Sequence, residues 1–180
     1  MLSEKSPLKK VESEARLLER IMLVVPGFKG YKQKEMRREA DKLVRDHFAR
    51  MLQKNRNNLQ DIYKTLLASR LEEVAGAAEK VIIKLDRISA KVEHASYGYS
   101  GFFDAIKISE DDLNRMLEFD VKLLDNSKGF DDLVKVFKNE VDGQKFGNAF
   151  THQSELSKML DSLEEAFDDR VEVIRGLEAE

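Results

Sequence analysis

The chain has no cysteine. That absence excludes disulfides, thiol catalysis, iron–sulfur clusters and cysteine-ligated zinc, and it leaves the redox compartment undetermined. Tryptophan is also missing, proline occurs only twice and glycine only nine times in 180 residues. Long apolar runs are missing too. The longest, Ile21-Met22-Leu23-Val24-Val25, falls far short of the ~20 residues a spanning helix needs. The N-terminal residues lead into charge rather than a signal-peptide core. A soluble, cytoplasmic protein is the expectation. The net charge of −3 names no partner by itself.

What the chain has in abundance is charge. Charged residues make up 36% and hydrophobic ones 42%, against roughly a quarter charged in an ordinary domain. A chain of this length can bury about 70% of its surface on folding, so a core needs no staple. Much charge with few helix breakers describes long, solvated helices around such a core. The expected class is all-α.

Periodicity supports that reading. Val11, Ala15, Leu18, Met22 and Val25 recur at spacings of four and three, one face of a helix from Pro7 to Val25. Pro26-Gly27 ends it. A second helix from about Lys32 carries Met36, Ala40, Leu43, Val44, His47, Phe48 and Met51 on one side. Asn55-Arg56-Asn57-Asn58 is either a break or a bend in a continuing helix.

The clearest pattern is Leu67, Leu71, Val74, Ala78, Val81, Leu85, Ile88, Val92 and Ala95. It is a heptad a/d seam, expected on a third helix starting near Leu59, with Ser69 and Gly76 as its weak points. Flanking apolar residues such as Ile62, Leu66, Ile82 and Ile83 widen the stripe toward a bundle. Residues 1–96 therefore read as a long antiparallel helical hairpin. Residues 97–180 read as an aromatic turn, Tyr97 to Phe103, an extended piece at 105–108 and smaller C-terminal helices packed on the hairpin. Among these, Ser109 caps a fourth helix that Ser127-Lys128-Gly129 closes, a short fifth runs from Asp131 to Val141, and a last helix follows a cap at Thr151 or Ser154.

Enzyme motifs are absent. A di-metal carboxylate bundle needs Glu-x-x-His, but Val44, Lys91 and Ala149 stand three positions before His47, His94 and His152. No nucleophile elbow, Walker loop or dinucleotide fingerprint occurs. The sequence implies no enzyme, no metal site and no cofactor.

One asymmetry stands out. Residues Lys29 to Arg56 hold ten Lys or Arg against four acids, whereas Thr151 to Glu180 hold nine acids and three bases. The simplest reading pairs the basic second helix with the acidic last one, or leaves both as solvated faces. Position suggests more. Lys29, Lys32 and Lys34 crowd a helix start, where the macrodipole is already positive. With Arg37 and Arg38 they form a candidate anion site beside Gly27 and Gly30. Its partner would be nucleic acid or an anionic membrane surface, bound without sequence preference. The seam offers the other function: an interaction or assembly module with a protein partner or a weak homodimer.

The stretches Pro26 to Arg45 and Tyr97 to Lys107 resemble segments of uncharacterised prokaryotic helical proteins. The resemblance covers under a fifth of the chain and implies no activity.

Overall fold

A computed structural model describes residues 7–95 and 109–176, and the side chains of 11–33, 36–95 and 109–174. Within them stand five helices and no strand: α1 (Pro7–Val24), α2 (Lys34–Ala68), α3 (Glu72–His94), α4 (Glu110–Asp142) and α5 (Ala149–Gly176). The all-α helical bundle expected from the sequence is the observed class. The aromatic turn at 97–103 and the extended piece at 105–108 lie outside the described residues.

The expected break at Asn55–Asn58 does not occur, so Leu59 to Ala68 belong to α2. The reason is the apolar stripe, which runs Phe48, Leu52, Leu59, Ile62 and Leu66 without leaving the core. Asn55 takes the missing position between Leu52 and Leu59, fully buried, and its Nδ2 donates to the Met51 carbonyl at 3.1 Å. The third helix therefore starts at Glu72 rather than Leu59.

The break falls at Ser69, one of the marked weak points. Arg70 takes a φ of 60°. Its N–H donates to the Leu67 carbonyl at 2.9 Å, and the Leu71 N–H donates to Leu66 at 3.0 Å. These two bonds form a Schellman motif, the helix stop that usually carries glycine at its left-handed position. The α4–α5 turn repeats it with Gln144 at φ 56°, bonded to Val141, and Lys145 bonded to Glu140. Both hairpin turns thus use a non-glycine residue in a left-handed conformation.

The fourth and fifth helices of the sequence reading are one. The apolar stripe Leu123, Phe130, Val134 and Phe137 runs through the join, and the buried Ser127 is accommodated there with its hydroxyl donating to the Leu123 carbonyl at 2.6 Å. Gly129 stays because a side chain there would meet the Met159 methyl at 3.1 Å, so its bare backbone lets α5 approach. The start at Ser109 agrees with expectation: its side chain accepts from the Asp112 N–H at 3.2 Å, with Glu110, Asp111 and Asp112 in the first turn. The last helix starts slightly early, at Ala149.

The four helices α2 to α5 pack in a ring, each touching two neighbours, and α1 lies outside against α4. The seam is consumed inside this ring. Ala78, Val81, Leu85, Ile88 and Val92 are buried with core residues of α2, α4 and α5. Leu67 is exposed at the end of α2, while Leu71, Val74 and Ala95 are half-buried. A second apolar cluster joins Ile21 of α1, Val25, Phe28 and Tyr31 of the following loop, Ala40 and Val44 of α2, the first half of α4 and Ile174.

Charge pairing also differs from expectation. Three acids of α5 meet α3 rather than α2, Lys84 pairing with Asp161 at 2.5 Å, Arg87 with Glu164 at 2.6 Å and Lys91 with Asp168 at 2.6 Å, while Asp169 meets Lys122 of α4. The basic α2 turns to other partners, Arg56 to Asp86 and Lys54 to Asp131. Such exposed pairs contribute about 0–1 kcal/mol each. They fix register more than stability.

No described helix is long and apolar enough to cross a membrane.

Candidate functional site

The loop after α1 bends through Gly27 and Gly30, with φ of 86° and 88°, so glycine is required at both positions. Between and beyond them Phe28 and Tyr31 turn inward and meet edge to face at 5.4 Å. Among the basic residues of this turn, Lys29 is exposed and without an ion-pair partner among the described residues. Lys32 is exposed but bonds Glu14 of α1 at 2.8 Å. Arg37 is buried, and its Nε donates to the Tyr31 carbonyl at 3.0 Å. Arg38 is exposed and has an interaction of its own. The Lys34 side chain lies outside those described. The cluster read from sequence is therefore dispersed: one member holds the loop from inside and another straps it to α1.

A different group of charges converges in the core. Arg170 of α5 is completely buried; its Nε bonds Asp120 Oδ1 at 2.7 Å and its Nη1 lies 2.8 Å from Asp41 Oδ1. The Tyr31 hydroxyl donates to the second oxygen of Asp120 at 2.6 Å and accepts from Arg170 Nη2 at 3.2 Å. Arg45 bonds the second oxygen of Asp41 at 2.8 Å. Burial, reinforced by Asp120, pushes the Tyr31 phenol well above its ordinary range. Burial also raises the Asp120 carboxyl, against the opposing pull of Arg170 and Tyr31. The chemistry of this group is structural: one guanidinium ties α5 to α2, to α4 and to the loop.

Sequence reasoning missed this group, although a signal was present. Asp41 precedes Val44 and Phe48 by three and seven positions, Asp120 follows Met116 by four, and Arg170 follows Phe167 by three. All of these apolar neighbours are buried. A charge at a stripe position is a charge bound for the core.

The surface feature of the molecule is α1. Its buried side is Ile21 with Leu17 and Leu18 partly covered, not the full stripe expected from spacing. Val11 is 65% exposed, Met22 52%, Leu23 80% and Val24 43%. These four are half of the large exposed hydrophobic residues that the described chain carries, the others being scattered over α2 to α5. The displacement has a physical cause. α1 lies outside the ring and touches one neighbour extensively, so only part of its apolar arc finds a partner.

Where the end of α1 meets α2 and α4, a half-open cleft of about 360 Å³ forms. Val24, Met51 and Leu124 supply apolar walls, while His47 and Lys128 supply polar ones. Burial, with the Arg50 guanidinium adding to it, holds the His47 imidazole below its usual pKa. Its folded value thus lies under the unfolded value of about 6.5. The unfolded chain takes the proton first, so this residue's contribution to stability is complete above about 6.5 and is lost as pH falls through the folded value. Urea unfolding at pH values from about 7 to 5 should find that His47→Gln loses less stability on acidification than the wild type. An equal loss in both would contradict the assignment.

Among the described residues, no three His, Asp or Glu side chains converge as a metal site. His152 is instead engaged with Glu140 at 2.9 Å, and His94 is exposed at the end of α3. Comparison with protein-family models, curated proteins and solved structures finds no match.

Proposed function

We propose that this chain is a non-catalytic helical docking module whose contact surface is the outer face of α1. The observation that carries the reading is an apolar seam left outside the core. Val11, Ala15, Leu18 and Met22 follow the 4-3-4 spacing of heptad a and d positions, and all but Leu18 are exposed. An exposed apolar patch of this kind marks a contact site more often than it decorates a monomer. The α3 seam is no longer available for the role, because its own chain buries it.

Charge selects the partner. Glu12 and Glu19 flank the α1 seam, and neither has an ion-pair partner among the described residues. Two copies of α1 would set acid against acid in either orientation, which disfavours a homodimer. The matching occupant is a helix of another protein whose apolar seam is flanked by Lys or Arg. At 18 residues, α1 offers about 27 Å for it.

The test is a quantitative pull-down from source cells with wild type, Val11→Glu/Met22→Glu and Ile83→Glu. Ile83 is the control because it is equally exposed, at 62%, but sits on α3. One protein should be retained by wild type and by Ile83→Glu, and lost at least tenfold by the α1 variant. A crosslink from position 22 should map to a basic-flanked amphipathic helix. No protein distinguishing the two variants, or a sedimentation mass of two copies of this chain alone, would refute the reading.

A second reading keeps a phosphate-bearing partner, nucleic acid or anionic lipid, at the loop. Lys29 favours it, exposed and unpaired between two glycines of positive φ. Loss of low-salt binding to duplex DNA or anionic vesicles in Lys29→Glu would support it.

A further inference from the structure

The cleft beside α1 lies on the side of that helix away from the seam, and its polar groups are not balanced. Two carboxylates line it, and both are neutralised. Asp125 pairs with Arg20 at 2.5 Å. Asp131 pairs with Lys54 at 2.8 Å and Lys135 at 2.6 Å. The hydroxyl of Ser127 is also engaged, donating to Leu123. What remains is Lys128, exposed and without an ion-pair partner, and His47, half-buried and without a hydrogen bond among the described residues. A free ammonium and a free imidazole therefore face the same apolar-walled space. Arg50, exposed and close enough to act on His47, adds a further positive charge at the α2 side.

An apolar floor with donors unpaired within the described chain and surplus positive charge at its rim is complementary to one kind of ligand. We propose that this cleft binds a small amphipathic carboxylic acid, its hydrocarbon tail on Val24, Met51 and Leu124 and its carboxylate at Lys128 and His47. The size agrees. A cleft of about 360 Å³ sits at the small end of the roughly 300–1,000 Å³ of ligand sites, which suits a short acyl or aryl-alkyl chain rather than a long lipid. His47 serves as a neutral hydrogen-bond donor and Lys128 as the counter-charge. The proposal is one of recognition alone: the Ser127 hydroxyl is bonded to the Leu123 carbonyl and the two carboxylates are held in ion pairs.

The probe is sodium octanoate, with 1-octanol and octylamine as controls of equal tail length, titrated into the full chain by calorimetry and by amide NMR. Octanoate should bind saturably, with shifts centred on His47, Met51 and Leu124. Octanol and octylamine should bind at least about tenfold more weakly, the range expected when a charge-assisted bond is removed. Lys128→Gln, an exposed change that leaves the core untouched, should weaken octanoate about tenfold and leave octanol unchanged. Val24→Gln should weaken both. Absence of saturable octanoate binding, equal affinity for octanoate and octanol, or full affinity in Lys128→Gln would each overturn the proposal. Met22→Glu, which disables the α1 seam, should bind octanoate as wild type does, so this site and the docking face fail independently.

Discussion

Leu85→Asp is expected to abolish the native fold. Leu85 is completely buried at the centre of the ring, among α2, α4 and α5 core residues. Truncating such a side chain costs about 2–5 kcal/mol, and an unpaired buried carboxylate adds several more. The sum approaches the roughly 5–15 kcal/mol that holds a domain of this kind together. The neighbouring change Ile83→Asp, two positions away on the exposed side of α3, should stay within about 0.5 kcal/mol. Circular dichroism melting of the pair is the measurement. A cooperative wild-type-like melt for Leu85→Asp would show that the α3 seam does not face the core.

Arg170→Met is the second large effect, and it acts through charge rather than volume. Removing the guanidinium leaves the buried Asp120 with the Tyr31 hydroxyl alone and Asp41 with Arg45 alone. Breaking a buried ion pair from one side costs about 3–5 kcal/mol, and a chain of this size loses about 2–4 °C of melting temperature per kcal/mol. A fall of roughly 10 °C is therefore expected. Replacing Asp41, Asp120 and Arg170 together by Asn, Asn and Met should recover part of it, because no carboxylate is then buried without a cation, while Arg45 still loses Asp41. A loss under about 1 kcal/mol for Arg170→Met alone, measured by urea unfolding, would mean that the cluster is solvated. Equal losses in the single and triple variants would mean that Arg170 acts by packing its stem.

These two expectations also mark what the sequence could and could not tell. The apolar face of α3 was legible because Ala78 to Val92 repeat on a fixed period, and Leu85 follows from it directly. The cap at Ser109 was legible because Ser followed by three acids has a local meaning. The helix stops near Val25, Ser69 and Val141 were legible as places, but the geometry of the last two was not. Glycine is the residue that announces a Schellman turn, and here Arg70 and Gln144 occupy its left-handed position. The joins at Asn55 and Ser127 were obscured for the converse reason. Residues that look like breakers stay helical when a buried apolar stripe runs through them, and here each side chain satisfies itself on a carbonyl four residues earlier.

The site residues divide in the same way. Arg37, read as part of an anion site from its neighbours in sequence, turns into the core because position 37 lies one turn from the buried Tyr31 loop and from Ala40 and Asp41. Asp41, Asp120 and Arg170 could not be joined from sequence because 79 and 50 residues separate them. Spacing gives a face, but which face meets which helix is decided only by packing. α1 illustrates the limit most plainly. Its period is as clear as that of α3, yet one stripe is buried and the other faces solvent, because α1 lies outside the ring.

That exposed stripe is the centre of the functional account, and backbone hydrogen exchange tests it most directly. The chain is compared free and with the protein recovered by the α1-dependent pull-down. The account predicts that added protection concentrates in Val11 to Val24, with none over the exposed face of α3 around Ile83. Protection at Lys29 to Arg38 or along α3, with α1 exchanging as in the free chain, would contradict it.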